Sequence, residues 1–259
     1  MKLAPKAIGV IVISSLLTFC FPMENANMRF NDILSFQSVV LAAEETPEAE
    51  EPFEKEHMAV ADPLEGLNRG IFKFNDKLYF WFLKPVSSAY ATVTPQGIRV
   101  AVRNAFHNVA MPIRFVNCAL QGKGRAMGTE LARFVINSAL GLGGLIDFAS
   151  REYNLNPHDE DTGQTLGVYG MKPVLYIVWP VFGPSSVRDT LGMAGDYFLN
   201  PLYYLSPDYY VSAALKAGKT VNDTSLRLGE YEDFKKSALD PYISMRDAYL
   251  QYRADEIRN

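Results

Sequence analysis

Apolar residues beyond position 43 fall into short blocks, and none contains the roughly 18 consecutive apolar residues that a membrane-spanning helix requires. Gly, Pro or Asn lies in or near each block; the blocks occupy residues 78–83, 139–148, 174–182 and 197–205. One interpretation is that the blocks form the core of a globular domain. The other is that some of them enter a single leaflet of a bilayer without crossing it.

The block LYFWFL at residues 78–83 ends a predicted helix that begins near Asp62. Asp62 is predicted as the N-cap, with Pro63 as the first helical residue, and Pro85 is predicted to stop the helix. Apolar groups in this block project all round the helix, so we expect some of them to face lipid. Its six residues are Leu78, Tyr79, Phe80, Trp81, Phe82 and Leu83.

Aromatic rings mixed with aliphatic side chains are typical of a membrane interface. Tyr176 and Trp179 show this mixture in the block at residues 174–182, so we predict that both rings embed in the membrane. Lysine side chains near such blocks can extend their ammonium groups to lipid headgroups. The candidates are Lys73, Lys77, Lys84 and Lys172.

The N-terminus has the pattern of an export signal, because Lys2 and Lys6 precede an apolar stretch at residues 7–21. Cys20 is a candidate lipidation site, although bulky Phe19 stands where a lipoprotein box has a small residue. The alternative is cleavage by a conventional signal peptidase after Val40-Leu41-Ala42, far downstream of the apolar stretch. We predict a signal segment at residues 1–43, an acidic disordered linker at 44–60 and one helical domain at 61–259. The domain is nearly neutral and lacks a dense basic stripe, which argues against nucleic-acid binding.

Helical spacing dominates the body of the chain, so the fold class is predicted to be mostly α. We predict further helices from Thr94, with Thr94 as the cap, and at residues 113–121 and 125–140. Another helix is predicted after a cap at Ser185 or Ser186. Asp240 is predicted to cap the last helix, in which Tyr242, Met245, Tyr249 and Tyr252 follow helical spacing. Residues 150–167 are predicted to be a polar loop, and the block at 174–182 lacks alternation, so no strand ladder is expected.

Residues suited to catalysis or metal binding are few. His57 and Asp62 match the short His-x4-Asp pattern of glycerolipid acyltransferases, but so short a pattern recurs by chance. His158 begins an acidic run that resembles a calcium loop; Gly170 stands where that loop needs a Glu, so a solvated loop is expected instead. We therefore predict no enzyme, no metal and no cofactor.

A series of short motifs, taken in order, resembles the MlaA (VacJ) family over about residues 60–253. The motifs are DPLEGLNR at 62–69, FN at 74–75, LQG at 120–122, RF at 133–134 with Asn137, LGLGGLID at 140–147, DTGQTLG at 161–167, YG at 169–170, RD at 188–189, and DPY at 240–242 with Arg246. The chain departs from the usual pattern of the family at two places. The lipoprotein box around Cys20 is poor, and Val174-Leu175-Tyr176 stands where the family tends to have Gly-Pro-Tyr.

The resemblance implies a ring-like helical domain embedded in the periplasmic leaflet of a Gram-negative outer membrane. It implies a lipoprotein that maintains lipid asymmetry by removing mislocalised phospholipid from the outer leaflet through a central amphipathic channel. The implied partners are phospholipid, a trimeric outer-membrane porin and a soluble periplasmic lipid carrier.

A lipid conduit needs an apolar wall, a polar route for the headgroup and no catalytic group. The resemblance also implies a mobile hairpin that gates the channel, and the glycine-rich segment after the helix at residues 125–140 is the candidate for it. The alternative is a tight turn packed in the core. Its residues are Leu140, Gly141, Leu142, Gly143, Gly144, Leu145, Ile146 and Phe148. Two other functions stay open: an envelope scaffold that binds porin without moving lipid, and a lipid hydrolase or acyltransferase.

Overall fold

The computed structural model describes residues 62–205 and 209–258, so Cys20, His57 and the predicted linker lie outside the described residues. The described chain is mostly helical, as predicted. Its elements are α1 (Glu65–Leu78), a π-helical turn (Tyr79–Leu83), α2 (Lys84–Val93), α3 (Gln96–Val109), α4 (Met111–Leu120), α5 (Gly124–Ala139), α6 (Phe148–Tyr153), α7 (Thr162–Val168), β1 (Tyr176–Trp179), β2 (Gly183–Ser186), α8 (Val187–Leu199), α9 (Leu202–Leu205), α10 (Tyr209–Leu226), α11 (Glu230–Ser237) and α12 (Pro241–Arg258).

Pro85 does not stop the first helix, so that prediction is wrong. The helical path continues from α1 through the π-helical turn into α2, and the backbone N–H of Lys84 donates to the carbonyl of Tyr79, five residues earlier. The wider turn interrupts the regular hydrogen-bond pattern directly before Pro85, so the helical path continues past a residue that has no N–H to donate.

Asp62 is not the N-cap of α1 either, since Leu64 holds that position and no side chain caps it. The Asp62 carboxylate instead accepts a hydrogen bond of 2.9 Å from Asn68 and another from the Tyr242 hydroxyl. It therefore joins α1 to α12, a long-range role that local spacing cannot reveal.

The predicted caps at Ser186 and Asp240 are confirmed. The Ser186 hydroxyl accepts from the backbone N–H of Asp189, and the Asp240 carboxylate accepts from two backbone N–H groups at the start of α12. The predicted cap at Thr94 is wrong, since the N-cap of α3 is Pro95 and no side chain caps that helix.

A short antiparallel hairpin of β1 and β2 contradicts the prediction of no strand ladder. Tyr176 pairs with Ser186, and Trp179 pairs with Gly183. Each strand has four residues, which is too short to display alternation clearly. Two asparagines of α1 hold β1 against that helix by hydrogen bonds. Asn68 bonds the backbone of Tyr176 and Val178, and the Asn75 amide donates to the carbonyl of Trp179.

The main core is small and aromatic and lies between α1, the hairpin, α11 and α12. Its buried members are Tyr176, Val178, Tyr231, Phe234, Tyr242, Met245, Ala248, Tyr249 and Leu250. Of the predicted helical stripe on α12, Tyr242, Met245 and Tyr249 are buried, as predicted, and Tyr252 is half-buried.

Packing between elements closes a circuit around the domain. From α1 and α2 the contacts run through α10, α3, α4, α7 and α12 to the β-hairpin, which returns to α1. Such closure is the connectivity that a ring-like domain requires. Among the described helices, none combines the length and the apolar character needed to cross a bilayer.

Candidate functional site

Burial in the described residues departs from the usual rule that polar side chains lie outside and large apolar ones inside. Asn68, Glu130 and Asp189 are completely buried, whereas Trp81 is 78% exposed and Phe82 is 56% exposed. Further exposed apolar side chains include Leu67, Phe74, Val93, Ile98, Leu142, Phe198, Tyr204 and Tyr210. Exposed apolar side chains on the exterior are favourable where the surroundings are apolar, as in a bilayer. Buried polar side chains in the interior need hydrogen bonds or charge partners within the protein.

In the block at residues 78–83, some side chains pack against the protein and others are exposed. The Tyr79 and Phe80 rings lie half-buried against Tyr231, with ring centroids 4.8 Å and 6.0 Å from it. Trp81 and Phe82 point outward, and Leu78 and Leu83 are half-buried. None of the six side chains is fully buried, so the prediction of lipid contact stays open and now centres on Trp81 and Phe82.

Tyr176 cannot embed in a membrane, so that prediction is wrong. Its ring is completely buried between the rings of Tyr242 and Tyr249, and burial raises the pKa of its hydroxyl well above the ordinary value. Trp179 is half-buried, donates from its indole N–H to the Thr190 hydroxyl at 3.0 Å, and packs against Met193. The block at residues 174–182 thus contributes mainly to the fold, because its alternate side chains face the core.

The glycine-rich segment forms a tight loop between α5 and α6. Three consecutive residues have positive φ, namely 54° at Leu142, 75° at Gly143 and 96° at Gly144. The backbone N–H of Gly144 donates to the carbonyl of Asn137 at 2.9 Å, which folds the loop back onto α5. Leu142 is 69% exposed, and Leu140 and Leu145 are also exposed, so the loop carries its leucines outward rather than into a core.

Helix α3 holds this loop closely. A Cβ atom on Gly144 would lie 2.5 Å from Cβ of Asn108, so only glycine fits the contact. The Asn108 amide donates to the Ser138 hydroxyl at 3.0 Å, and the Asn104 amide donates to the Leu145 carbonyl at 3.3 Å. Phe148, the last predicted loop residue, is half-buried at the start of α6.

Asp147 fixes the end of the loop and was not singled out by sequence reasoning. It accepts from the Asn137 amide at 2.9 Å, from the Ser150 hydroxyl at 2.8 Å and from the Arg133 guanidinium at 3.0 Å. Burial raises the pKa of Asp147, but these hydrogen bonds outweigh burial and lower the pKa to about 2. Asp147, Arg133 and Asn137 all belong to the motifs at residues 133–147, and Ser150 does not. Their spacing in the sequence does not show that these side chains contact one another.

Glu160 and Asp161 contradict the prediction of a solvated loop, because both are buried. Lys123 bonds Glu160 at 2.6 Å, and Arg253 makes two hydrogen bonds of 2.9 Å and 3.0 Å to Asp161. The residues that follow also form helix α7, which begins with a capping box between Asp161 and Gln164. Glu160 and Asp161 are buried because Lys123 and Arg253, which are distant in the sequence, neutralise their charges. Without such partners an acidic run would stay in water.

Both histidines of the described residues contact acidic side chains, His107 at the surface and His158 through its backbone at the buried Glu130. His107 Nε2 lies 3.2 Å from a carboxylate oxygen of Asp159, and the backbone N–H of His158 donates to Glu130 at 2.8 Å. In the described part of the chain, no group of three or more His, Cys, Asp or Glu side chains is placed to hold a metal ion. Cys118 is a buried free thiol, and burial raises its pKa to about 11.

These features define a class: a single, mostly helical domain with polar contacts inside, apolar side chains outside and, among the described helices, no membrane-spanning helix. The family model described as MlaA lipoprotein matches residues 60–256. The chain belongs to the MlaA lipoprotein family, as the order of its motifs predicts.

Curated relatives cover most of the chain. The intermembrane phospholipid transport system lipoprotein MlaA of Escherichia coli is 34% identical over 205 residues, which cover 77% of this chain and 79% of the relative. The protein of the same name from Haemophilus influenzae is 30% identical and covers 73% and 76%. An uncharacterised protein of Rickettsia bellii is 35% identical and covers 77% and 78%.

The fold matches a solved structure as well. The match has a TM-score of 0.68 at 32% identity and covers 76% of this chain and 99% of the solved one. That solved structure is described as the structural basis for maintenance of bacterial outer membrane lipid asymmetry.

Proposed function

We propose that this chain is a non-enzymatic component of phospholipid translocation. It removes mislocalised phospholipid from the outer leaflet of a Gram-negative outer membrane through a central amphipathic channel, and so maintains lipid asymmetry. Curated relatives at about one third identity are named intermembrane phospholipid transport lipoproteins, which supports a role in phospholipid transport.

One observation carries the proposal: apolar side chains lie outside and a connected polar network lies inside. Trp81 and Phe82 present rings to the surroundings, while Glu130, Asp189 and Arg253 are buried and paired. A domain that rests in one leaflet benefits from this exterior, because each apolar side chain that leaves water stabilises insertion. The helices pack in a closed circuit, which a central path for the headgroup would require.

The loop at residues 140–148 is proposed as the gate of that path. Its outward leucines are apolar contacts for acyl chains, and its positive-φ residues give it a defined shape. The close contact of Gly144 with Asn108 couples the loop to α3, so a small change at this contact moves the loop.

The remaining parts of the proposal concern location and partners. The chain is placed in the periplasmic leaflet of the outer membrane, beside a trimeric porin, and passes lipid to a soluble periplasmic carrier. A lipid anchor at Cys20 belongs to the same proposal.

Lipid analysis of the protein tests the proposal. Full-length protein is extracted from membranes in a native-lipid polymer, and bound lipid is identified by mass spectrometry before and after incubation with added phospholipid. We expect intact phospholipid to accompany the protein and to remain chemically unchanged. Time-dependent formation of lysophospholipid or transacylated lipid would instead establish an enzyme, and His57→Ala then tests whether the acyltransferase-like pattern is responsible.

A further inference from the structure

Helix α1 has one face turned to the core and one turned outward. Asn68 is buried, and Ile71 and Phe72 pack against the core cluster. The outward face carries Lys73 and Lys77, four residues apart, and the π-helical turn continues this line with Trp81. Residues at this spacing lie one above the other on a helix surface.

The two lysines of this face keep their charge unneutralised within the described residues. No described carboxylate lies within 4.0 Å of the ammonium group of Lys73 or Lys77, and Lys77 Nζ stands 5.8 Å from the centroid of the Trp81 ring. By contrast, Lys84 bonds Glu232 at 2.7 Å, so it is not free to meet a headgroup.

Carboxylates near this face are already occupied by other cations. Arg69 is shared between Glu65, at 2.7 Å, and Asp240, at 2.9 Å. Asp76 accepts from Lys235 at 2.7 Å. The surface around Lys73 and Lys77 therefore carries a local positive charge, although the domain as a whole is nearly neutral.

We propose that Lys73, Lys77 and Trp81 form a surface that binds the headgroups of anionic phospholipids at the edge of the leaflet. The proposal rests on the proposed function, because it assumes that the exposed rings of Trp81 and Phe82 enter the leaflet. Along a helix, Lys77 and Lys73 lie about 6 Å and 12 Å before Trp81. With the indole ring at the interface, both ammonium groups reach the phosphate layer, where charge complementarity favours anionic lipid.

Vesicle flotation tests this surface. Full-length protein is mixed with vesicles of phosphatidylcholine alone or of phosphatidylcholine with phosphatidylglycerol, at low salt. The wild type is compared with the double variant Lys73→Gln/Lys77→Gln. The control, Lys236→Gln/Arg258→Gln, removes the same charge from α11 and α12, where both side chains lie near a carboxylate of their own helix. Far-UV circular dichroism verifies that all three proteins are folded.

We expect the wild type to bind both vesicle types and to prefer the anionic ones. The double variant should bind neutral vesicles as the wild type does but partition into anionic vesicles roughly 25-fold less, since each basic side chain at an anionic surface contributes about a factor of five. The control should keep the wild-type preference. A wild-type preference that survives in the double variant, or is absent from the wild type, overturns this inference alone; failure of the wild type to bind any vesicle overturns the proposed leaflet insertion.

Discussion

The Arg253 guanidinium donates to Asp189 at 2.7 Å, and both side chains are buried in the described domain. Asp161 shares the same guanidinium, and the Tyr249 hydroxyl donates to Asp189. Burial lowers the pKa of Arg253, but Asp161 and Asp189 outweigh burial and raise it well above its ordinary value. One cation between two carboxylates thus connects α7, α8 and α12.

Removal of that cation takes away the partner that makes two hydrogen bonds to Asp161, and it takes away one of the two arginines that bond Asp189, the other being Arg188. We expect Arg253→Met to lower the free energy of unfolding by about 3 to 5 kcal/mol. Urea titration in non-ionic detergent, followed by circular dichroism, measures the loss. The control is Arg258→Met on the same helix, whose exposed guanidinium lies 3.7 Å from Asp255 and should matter by less than about 1 kcal/mol. Equal stability of the two variants would show that the buried cluster does not hold the fold.

Gly144→Val tests the coupling between the loop and α3. A Cβ atom at this position would lie 2.5 Å from Cβ of Asn108, so the added side chain displaces either the loop or that asparagine. We expect altered accumulation of phospholipid in the outer leaflet, normalised to the amount of protein in the membrane fraction, while co-purification with porin is retained. Gly143→Val is the matched control, since φ is also positive there but, apart from its chain neighbours, no atom of the described residues lies within 4 Å of the added Cβ.

A change in lipid accumulation for Gly144→Val but not for Gly143→Val supports a gate. A scaffold that binds porin without moving lipid would give no lipid phenotype with either substitution. Loss of the protein from the membrane fraction in both variants would trace the effect to the strained backbone at positive φ instead of to the Asn108 contact.

Trp81 and Phe82 carry the prediction of leaflet insertion. Their combined replacement by serine removes two large exposed rings, and we expect membrane partitioning to fall by about 3 kcal/mol, on the order of a hundredfold. Flotation with neutral vesicles measures the change. The buried Tyr176→Phe variant should partition as the wild type does, because its ring does not reach the surface. Unchanged flotation of the double serine variant would mean that these rings do not contact lipid.

Asp147 gives the domain a defined response to acid. Its pKa is about 2 in the folded chain and 3.8 ordinarily, so the folded state binds this proton less readily than the unfolded chain does. The stability that it contributes is therefore complete above about pH 4 and is lost as the pH falls toward 2. Because the carboxyl is partly exposed, screening limits this contribution to about 1 kcal/mol.

Asp147→Asn should remove that part of the acid dependence. Between pH 4 and pH 2, the free energy of unfolding of the variant should fall less steeply than that of the wild type. Urea titrations across this range provide the comparison, with Asp255→Asn at the exposed end of α12 as the control. Parallel pH profiles for the wild type and Asp147→Asn would contradict the assignment.

The sequence predicts those parts of the fold that depend on local spacing. The buried stripe of α12 and the caps at Ser186 and Asp240 were predictable, since each involves residues within a few positions of one another. The family was predictable as well, because the order of many short motifs is more specific than any single one.

Long-range partners explain most of what the sequence did not reveal. Asp62 resembles an N-cap in its local setting, but its carboxylate is taken by Asn68 and Tyr242. Asp161 resembles part of a solvated loop until Arg253, 92 positions away, is brought beside it. Tyr176 resembles an interfacial ring, because apolar side chains that face lipid and those that face a core have the same composition.

Phospholipid transport itself is measured most directly in the cell. The gene is deleted, phospholipid in the outer leaflet of the outer membrane is quantified by a surface-specific assay, and the deletion is complemented with the wild-type gene. We expect phospholipid to accumulate in the outer leaflet of the deletion strain, detergent sensitivity to rise, and both to return to normal on complementation. Normal outer-leaflet phospholipid together with normal detergent resistance in the deletion strain would contradict the proposed function.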